Sequence, residues 1–196
     1  MERFGKADRR TTETQAAVEI NLDGKGRNNC KTGIGFFDHM LTLLAAHGSF
    51  DLNVEAKGDL EVDGHHTVED TGIVFGKAFR RALGDKKGIR RYGTSFVPMD
   101  ESLAMVSLDI SGRPYLHMEF PGPASMAGDF DTQLLEEFLR AFSIHGGITL
   151  HVRVLYGRNT HHMLEAMFKA IGRSLRQAVS IDSQWEGIPS TKGLLD

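Results

Sequence analysis

The sequence predicts an α+β fold made of an internally duplicated half-domain, in which a layer of four helices lies between two sheets. Three observations predict it. The motif HHxxE occurs twice, each copy follows a helical stripe that ends in His-Gly, and an alternating strand lies between stripe and motif. Stacking the helices of two such halves buries the apolar face of both sheets.

The duplication is visible in the residue numbers. Aligning His47 with His145 gives an offset of 98, and after a loop that is two residues shorter the offset becomes 96. The aligned polar triplets are His65, His66 and Glu69 in the first half, and His161, His162 and Glu165 in the second. The repeat is far too long for a solenoid unit, which typically has about 20–50 residues.

The elements follow in order along each half. In the first half, hydrophobic spacing predicts a strand at residues 18–22, a helix at 37–44, a strand at 50–54 and a helix at 68–79. In the second half it predicts strands at 104–110 and 116–120, a helix at 135–142, a strand at 148–154 and a helix at 164–175. Asp63 and Asn159 are predicted helix caps. The predicted units are a first half-repeat at 1–92, a second at 93–187 and a tail at 188–196, with a link near 88–96.

Composition narrows the class of protein. The chain has 196 residues, 23 basic and 26 acidic side chains and a net charge of −3, so we expect no nucleic-acid partner. The single cysteine, Cys30, excludes a disulfide framework or Cys-rich zinc site within one chain. The start is charged, and no apolar run approaches the roughly 20 residues of a membrane helix. We therefore expect a cytoplasmic protein without a membrane partner.

The paired HHxxE motifs predict metal binding. On a helix, residues four apart share a face, so His65 and Glu69 can hold one ion while the adjacent His66 points toward another. Under the first offset His39 aligns with Glu137. The candidate metal ligands are His39, His65, His66, Glu69, Glu137, His161, His162 and Glu165. These nitrogen and oxygen donors suit Mn, Fe, Co or Zn, and octahedral geometry favours Mn. The alternative is that these histidines only cap helices, but packing does not require two such triplets.

Basic residues in turns or near the second motif add a phosphate site to this prediction. They are Arg91, Arg113, Lys169 and Lys192. The sequence contains no GxxxxGK[ST], GxGxxG after a strand, HExxH or GxSxG motif, which weighs against nucleotide hydrolysis, Rossmann cofactors, zincin proteolysis and α/β-hydrolase chemistry.

Five segments resemble one family. They are FFDHMLTLLAAHGSFDL, DGHHTVEDTGI, LDISGRPYL, GRNTHHMLEAMFKA and IPSTKG, and they are similar to imidazoleglycerol-phosphate dehydratase of histidine biosynthesis in its monofunctional form. The resemblance runs from Arg10 to Gly193. It implies four-stranded sheets, a homo-oligomer of 24 subunits with interfacial active sites, and two Mn²⁺ ions per site.

The resemblance also implies site residues. It assigns the metal to the eight residues given above, although many members carry a histidine in place of Glu137, and Glu136 is the alternative ligand. It places the substrate against Glu13, His47, Arg91, Arg113, Lys169, Ser190 and Lys192. Members of the metal set that also face the substrate are His39, His65, His66, Glu69, His161 and His162. The acid–base candidates are Glu13, Asp100 and Glu165.

The implied reaction is dehydration of D-erythro-imidazole glycerol phosphate to imidazole acetol phosphate. The hypothesis is that a metal-held imidazolate expels the neighbouring hydroxyl, and that a base then deprotonates a diazafulvene-like intermediate. Two alternatives remain open. One is another metal-dependent hydrolase or isomerase of a small phosphate ester. The other is a non-catalytic metal-storage cage, which has no use for Arg91, Arg113 and Lys192.

Overall fold

The computed structural model describes residues 3–122, 124–184 and 187–195. In its first half the elements are β1 (Phe4–Arg10), β2 (Thr14–Asn21), β3 (Asn28–Lys31), α1 (Gly35–Gly48), β4 (Asp51–Gly58) and α2 (His65–Leu83). In its second half they are β5 (Tyr92–Met99), β6 (Ser102–Asp109), β7 (Tyr115–Glu119), β8 (Met126–Ala127), β9 (Phe130–Asp131), α3 (Leu134–Gly146), β10 (Thr149–Tyr156) and α4 (Thr160–Val179).

The two halves have the same sheet topology. The first sheet has the strand order β1-β2-β4-β3 and the second has β5-β6-β10-β7, so the equivalent strands occupy the same places. Each sheet has one parallel pair, β3 with β4 and β7 with β10, and the other pairs are antiparallel. Val18 lies opposite Val54 in one sheet and Val106 opposite Val152 in the other. The predicted duplicated α+β fold is confirmed.

The helices form the layer between the sheets because each sheet has one apolar face. In β2 and β6 every second residue is buried, including Val18 and Val106. Helix α2 packs on β1 and β2, whereas α4 packs on β5 and β6. The helices of the two halves also pair with each other, α1 with α4 and α2 with α3. The second helix of each half therefore contacts its own sheet and the first helix of the other half.

Glycines allow these two helix pairs to approach closely. A Cβ atom on Gly172 of α4 would lie 2.4 Å from the carbonyl oxygen of Leu44 in α1. At the equivalent place, a Cβ on Gly76 of α2 would lie 2.8 Å from the carbonyl oxygen of Phe142 in α3. Only glycine fits such backbone-to-backbone contacts. The two crossings fix how the starts of the paired helices face each other.

The structure confirms the cap predicted at Asn159 and the His-Gly ends of α1 and α3, whereas the cap predicted at Asp63 was wrong by one residue. Asn159 caps α4, since its side chain accepts hydrogen bonds from the backbone amides of His161 and His162. Asp63 accepts from the amide of His65, although Gly64 occupies the cap position of α2. Helix α1 ends at the His-Gly pair, where Ser49 follows with a left-handed φ of 56°.

Five strands were not predicted, namely β1, β3, β5 and the two-residue strands β8 and β9. Strand β1 buries only the small residues Gly5 and Ala7, and the short edge strand β3 has no fully buried residue, so neither carries a strong apolar alternation. The predicted link at 88–96 was wrong in its second part, because Tyr92 begins β5. Strand β5 lies at the edge of the second sheet, and most of its residues are polar or exposed. Only Gly93 and Val97 are buried. No helix among the described residues has the length and apolar character that crossing a membrane requires.

Candidate metal centre and phosphate pocket

Three of the predicted metal ligands meet where α1 packs against α4. The Nε2 atoms of His39 and His161 each lie 3.0 Å from Oε1 of Glu165. One donor atom from each of the three residues lies within 4.8 Å of the others. His161 and Glu165 share one face of α4, as their spacing of four requires, and His39 comes from the first half of the chain. The duplicated halves thus build one three-residue group together.

Lys169, one turn beyond Glu165 on α4, places a positive charge beside the carboxylate of this group. Its Nζ lies 2.6 Å from Oε2 of Glu165 and 3.3 Å from the sulfur of Met99. Burial disfavours the charged form of Glu165, but the hydrogen bonds from Lys169, His39 and His161 outweigh burial and lower its pKa to about 2. Glu165 is therefore a carboxylate at neutral pH, the form that binds a metal ion.

The second histidine of the α4 motif has a different set of partners. Nδ1 of His162 lies 2.7 Å from Oε2 of Glu101, in the turn between β5 and β6. The Oδ2 atom of the exposed Asp100 lies 3.8 Å from Nε2 of the same ring. The hydrogen bond from His162 and those from the amides of Asn159 and Arg158 hold the pKa of Glu101 well below its usual range.

The motif on α2 is arranged in a related way. Nδ1 of His66 lies 3.0 Å from Oδ2 of Asp59, and Oε2 of the exposed Glu13 lies 3.9 Å from the same nitrogen. The hydrogen bond to Asp59 raises the pKa of His66. The ring of His65 lies edge-on to that of His66.

The remaining ligand candidates lie where α2 and α3 pair. Glu69 follows His65 by one turn, and Glu137 lies in the first turn of α3 at the position that His39 occupies in α1. Both glutamates are half-buried. Glu136, the alternative to Glu137, forms an ion pair with Arg140. Within the described part of the chain, the only group of three His, Cys, Asp or Glu donors this close is His39, His161 and Glu165.

The predicted phosphate residues line a separate cavity of about 310 Å³. It brings together four of them from distant parts of the chain, namely Arg91, Arg113, Ser190 and Lys192. The predicted tail therefore lies against Arg91, which precedes β5, and Arg113, which lies between β6 and β7, although Asp196, its last residue, lies outside the described residues. Two guanidinium groups, an ammonium and a hydroxyl around one cavity form a suitable site for a phosphate group.

The guanidinium of Arg91 is held rigidly at this cavity. Its Nε and Nη2 lie 2.6 Å and 3.0 Å from the two carboxylate oxygens of Asp109, and Nη1 donates to the carbonyl of Pro189 at 3.0 Å. Arg91 has a φ of 73°, a conformation that side-chain-bearing residues seldom adopt. Such strain is found most often at functional sites, and Asp100 shows it too, with a φ of 46°.

The structure does not bring His47 and Lys169 to this cavity. His47, in the last turn of α1, lines another cavity of about 420 Å³ together with Arg90, Arg173 and Arg176. Burial lowers the pKa of His47, and the charges of Lys169 and Arg173 lower it further. The predicted substrate residues of one chain are therefore distributed over four places, namely the metal group, the start of α2 with Glu13, the Arg91 cavity and the His47 cavity.

Comparison with known proteins decides the family. The model of the imidazoleglycerol-phosphate dehydratase family matches residues 32–175. The imidazoleglycerol-phosphate dehydratase of Clostridium botulinum strain Langeland is 62% identical over 194 residues, which cover 99% of each chain. The chain belongs to the imidazoleglycerol-phosphate dehydratase family. The dehydratase of Caldanaerobacter subterraneus subsp. tengcongensis is 60% identical over 193 residues, covering 98% of this chain and all of that protein.

Solved structures of the dehydratase family have the same fold. The enzyme of Staphylococcus aureus N315 superimposes with a TM-score of 0.80 at 43% identity, covering 90% of this chain and 99% of that one. The dehydratase of Pyrococcus furiosus, in complex with (S)-C348, gives a TM-score of 0.82 at 36% identity and covers 96% and 99%. The chain is thus an imidazoleglycerol-phosphate dehydratase, a hydro-lyase of histidine biosynthesis.

Sequence reasoning missed two carboxylates of this dehydratase that contact the paired histidines. Glu101 was detectable, because β1–β2 and β5–β6 align with an offset of 88, under which Glu13 falls on Glu101. The sequence does not reveal this offset, because the hydrophobic alternation of β1 is weak. Asp59 follows β4, and no motif or equivalent residue in the second half marks it.

Proposed function

We propose that the chain dehydrates D-erythro-imidazole glycerol phosphate to imidazole acetol phosphate with two Mn²⁺ ions per active site. The observation that carries the proposal is the meeting of His39, His161 and Glu165 at the α1–α4 crossing. All donors there are nitrogen or carboxylate oxygen, and Glu165 is ionised, which suits Mn²⁺. The proposed ligands of the two ions are His39, His65, His66, Glu69, Glu137, His161, His162 and Glu165.

The phosphate of the substrate is held by the Arg91 cavity. Arg91 is preorganised by Asp109. Arg113 and Lys192 are exposed, and Nη2 of Arg113 lies 3.9 Å from Oδ2 of the same aspartate. Holding the phosphate at one end fixes the glycerol chain with respect to the ring at the other end. Lys169 contributes a positive charge beside the metal group. His47 contributes a hydrogen-bonding group from its own cavity.

Proton transfer is assigned to Glu13 and Asp100. Glu165 was a third candidate, but its position between His39, His161 and Lys169 and its ionised carboxylate support a role as a metal ligand. When bound, Mn²⁺ supplies positive charge that acidifies the imidazole N–H and makes the ring a better electron acceptor. A protonated acid assists departure of the hydroxyl beside the ring as water. One carboxylate then removes the proton from the hydroxyl-bearing carbon next to the phosphate arm, and the resulting enol tautomerises to the ketone.

We propose that the enzyme is a cytoplasmic homo-oligomer, expected to have 24 subunits, whose active sites lie between copies. The side chains of His39 and His161 are 43% and 49% exposed, so the metal group has an open face. Large apolar side chains are exposed elsewhere, including Val62, Phe96 and Tyr156. A neighbouring copy that covers such a face can add the ligands and substrate residues that one chain does not bring together.

The test compares dehydration of imidazole glycerol phosphate by wild-type chain, His161→Ala and His151→Ala. His151 is an exposed histidine of β10 and serves as the matched control. We expect turnover in wild type and His151→Ala and its loss in His161→Ala. Equal turnover in both variants contradicts the proposed metal centre. Turnover of glycerol phosphate lacking the ring favours the rival phosphate-ester enzyme, and manganese binding without any turnover favours the storage cage.

A further inference from the structure

In each HHxxE motif, Nδ1 of the second histidine forms a hydrogen bond with a carboxylate. Glu101 holds His162 at 2.7 Å, and Asp59 holds His66 at 3.0 Å. An ionised carboxylate can only accept hydrogen bonds, so Nδ1 of each ring must carry the proton. The Nε2 atom then keeps its lone pair and is the ring atom that can bind a metal ion.

The other carboxylate oxygen of Glu101 is also held by hydrogen bonds. Its Oε1 accepts hydrogen bonds from the backbone amides of Asn159 at 2.8 Å and Arg158 at 3.1 Å. The hydroxyl of Ser102 donates to the same oxygen at 3.1 Å. Asn159 in turn caps α4 through the amides of both motif histidines. One carboxylate therefore ties the β5–β6 turn to the start of α4 and presents its second oxygen to His162.

We propose that Glu101 is a positioning residue that sets the orientation and tautomer of His162 for metal binding, and that Asp59 does the same for His66. This inference rests on the proposed metal centre. Carboxylates that orient a ligating imidazole in this way commonly change metal affinity by about 10- to 100-fold. Neither residue contacts the reacting atoms in this account.

The two halves use carboxylates from different places in the repeat to hold the second histidine of the motif. Glu13 is the counterpart of Glu101, yet its carboxylate lies 3.9 Å from Nδ1 of His66 and is 55% exposed. Asp59 makes the hydrogen bond to His66 in its place. The first half thereby leaves Glu13 available for proton transfer, whereas the second half uses the equivalent residue to hold a ligand.

Glu101→Gln is the decisive variant because it keeps the helix anchor and reverses one hydrogen bond. The two backbone amides retain the amide oxygen of the glutamine, so its NH₂ group faces Nδ1 of His162 and donates to it. The ring proton must then move to Nε2, which removes the lone pair that would bind the metal. The matched control is Glu119→Gln, since Glu119 lies 2.9 Å from Nε2 of His117 on β7 and contacts none of the proposed metal ligands in the described contacts.

The experiment titrates the chelator-treated full-length proteins with Mn²⁺ and reads free Mn²⁺ by electron paramagnetic resonance. We expect Glu101→Gln to weaken binding of one ion by about 10- to 100-fold and Glu119→Gln to leave both affinities unchanged. Asp59→Ala, which leaves the α4 anchor intact, is expected to weaken binding by a similar factor. Wild-type affinity in folded Glu101→Gln, or in Asp59→Ala if the former does not fold, overturns the inference. Because this readout needs no turnover, a failure of the proposed reaction is seen separately in the wild-type assay.

Discussion

Substitution of Gly172 by alanine tests whether the α1–α4 crossing builds the metal group. The new Cβ would lie 2.4 Å from the carbonyl oxygen of Leu44 and 2.9 Å from the amide nitrogen of Gly48, both backbone atoms of α1. Ordinary contact begins at 3.4 Å, so the helices must separate by about 1 Å. Overpacking destabilises a fold by about 1–3 kcal/mol, and a clash with backbone atoms lies at the upper end of that range. Alanine offsets part of this loss, because it favours the helix over glycine by about 1 kcal/mol. We expect a net loss of about 2 kcal/mol.

The assay is urea unfolding of metal-free protein followed by circular dichroism, at one fixed chain concentration. Gly35→Ala is the control, because its Cβ would meet Asp129 at the ordinary distance of 3.5 Å. Gly172→Ala should unfold at lower urea and also bind Mn²⁺ more weakly, since His39 moves away from Glu165. Wild-type stability and wild-type Mn²⁺ affinity in Gly172→Ala refute the reasoning.

Three further predictions concern charge and ionisation. Glu165 has a lowered pKa, so its stabilising contribution is complete above the unfolded-state value of about 4.5 and is lost as pH falls toward about 2. Lys169→Met raises that pKa, and the acid-unfolding midpoint measured by circular dichroism should move to higher pH. Arg113→Ala should lower kcat/KM by roughly 10- to 100-fold through a lost charged hydrogen bond, whereas Arg153→Ala should not; equal values contradict the assignment. Burial raises the pKa of Cys30 to about 12, so iodoacetamide at pH 8 should label it only after unfolding.

Much of the fold could be predicted because the duplication repeats every strong pattern. The helical stripes and the alternating strands β2, β4, β6 and β10 all carry large apolar residues on one face. The missed strands lie at sheet edges. In β1 the residues facing the helices are Gly5 and Ala7, and at Gly5 a Cβ would lie 2.0 Å from the carbonyl oxygen of Ala78. A close helix therefore demands small residues there, and small residues erase the hydrophobic signal.

In the candidate site, the residues with a local sequence signal could be predicted, whereas the contacts that depend on strand pairing could not. The spacing of His161 and Glu165 placed them on one face of a helix, and the offset of 98 pointed to His39, which meets them. The hydrogen bond between Glu101 and His162 joins residues 61 positions apart through a turn whose place in the fold depends on the unpredicted strand β5. Contacts of that kind depend on how the strands pair, so a motif search does not find them.

The most direct test of the account is to remove metal with a chelator, add Mn²⁺ back in known amounts, and follow formation of imidazole acetol phosphate. We expect the stripped protein to be inactive and turnover to return as the bound Mn²⁺ approaches two ions per chain. Full turnover in the stripped protein would contradict it, as would turnover that is complete with a single bound ion.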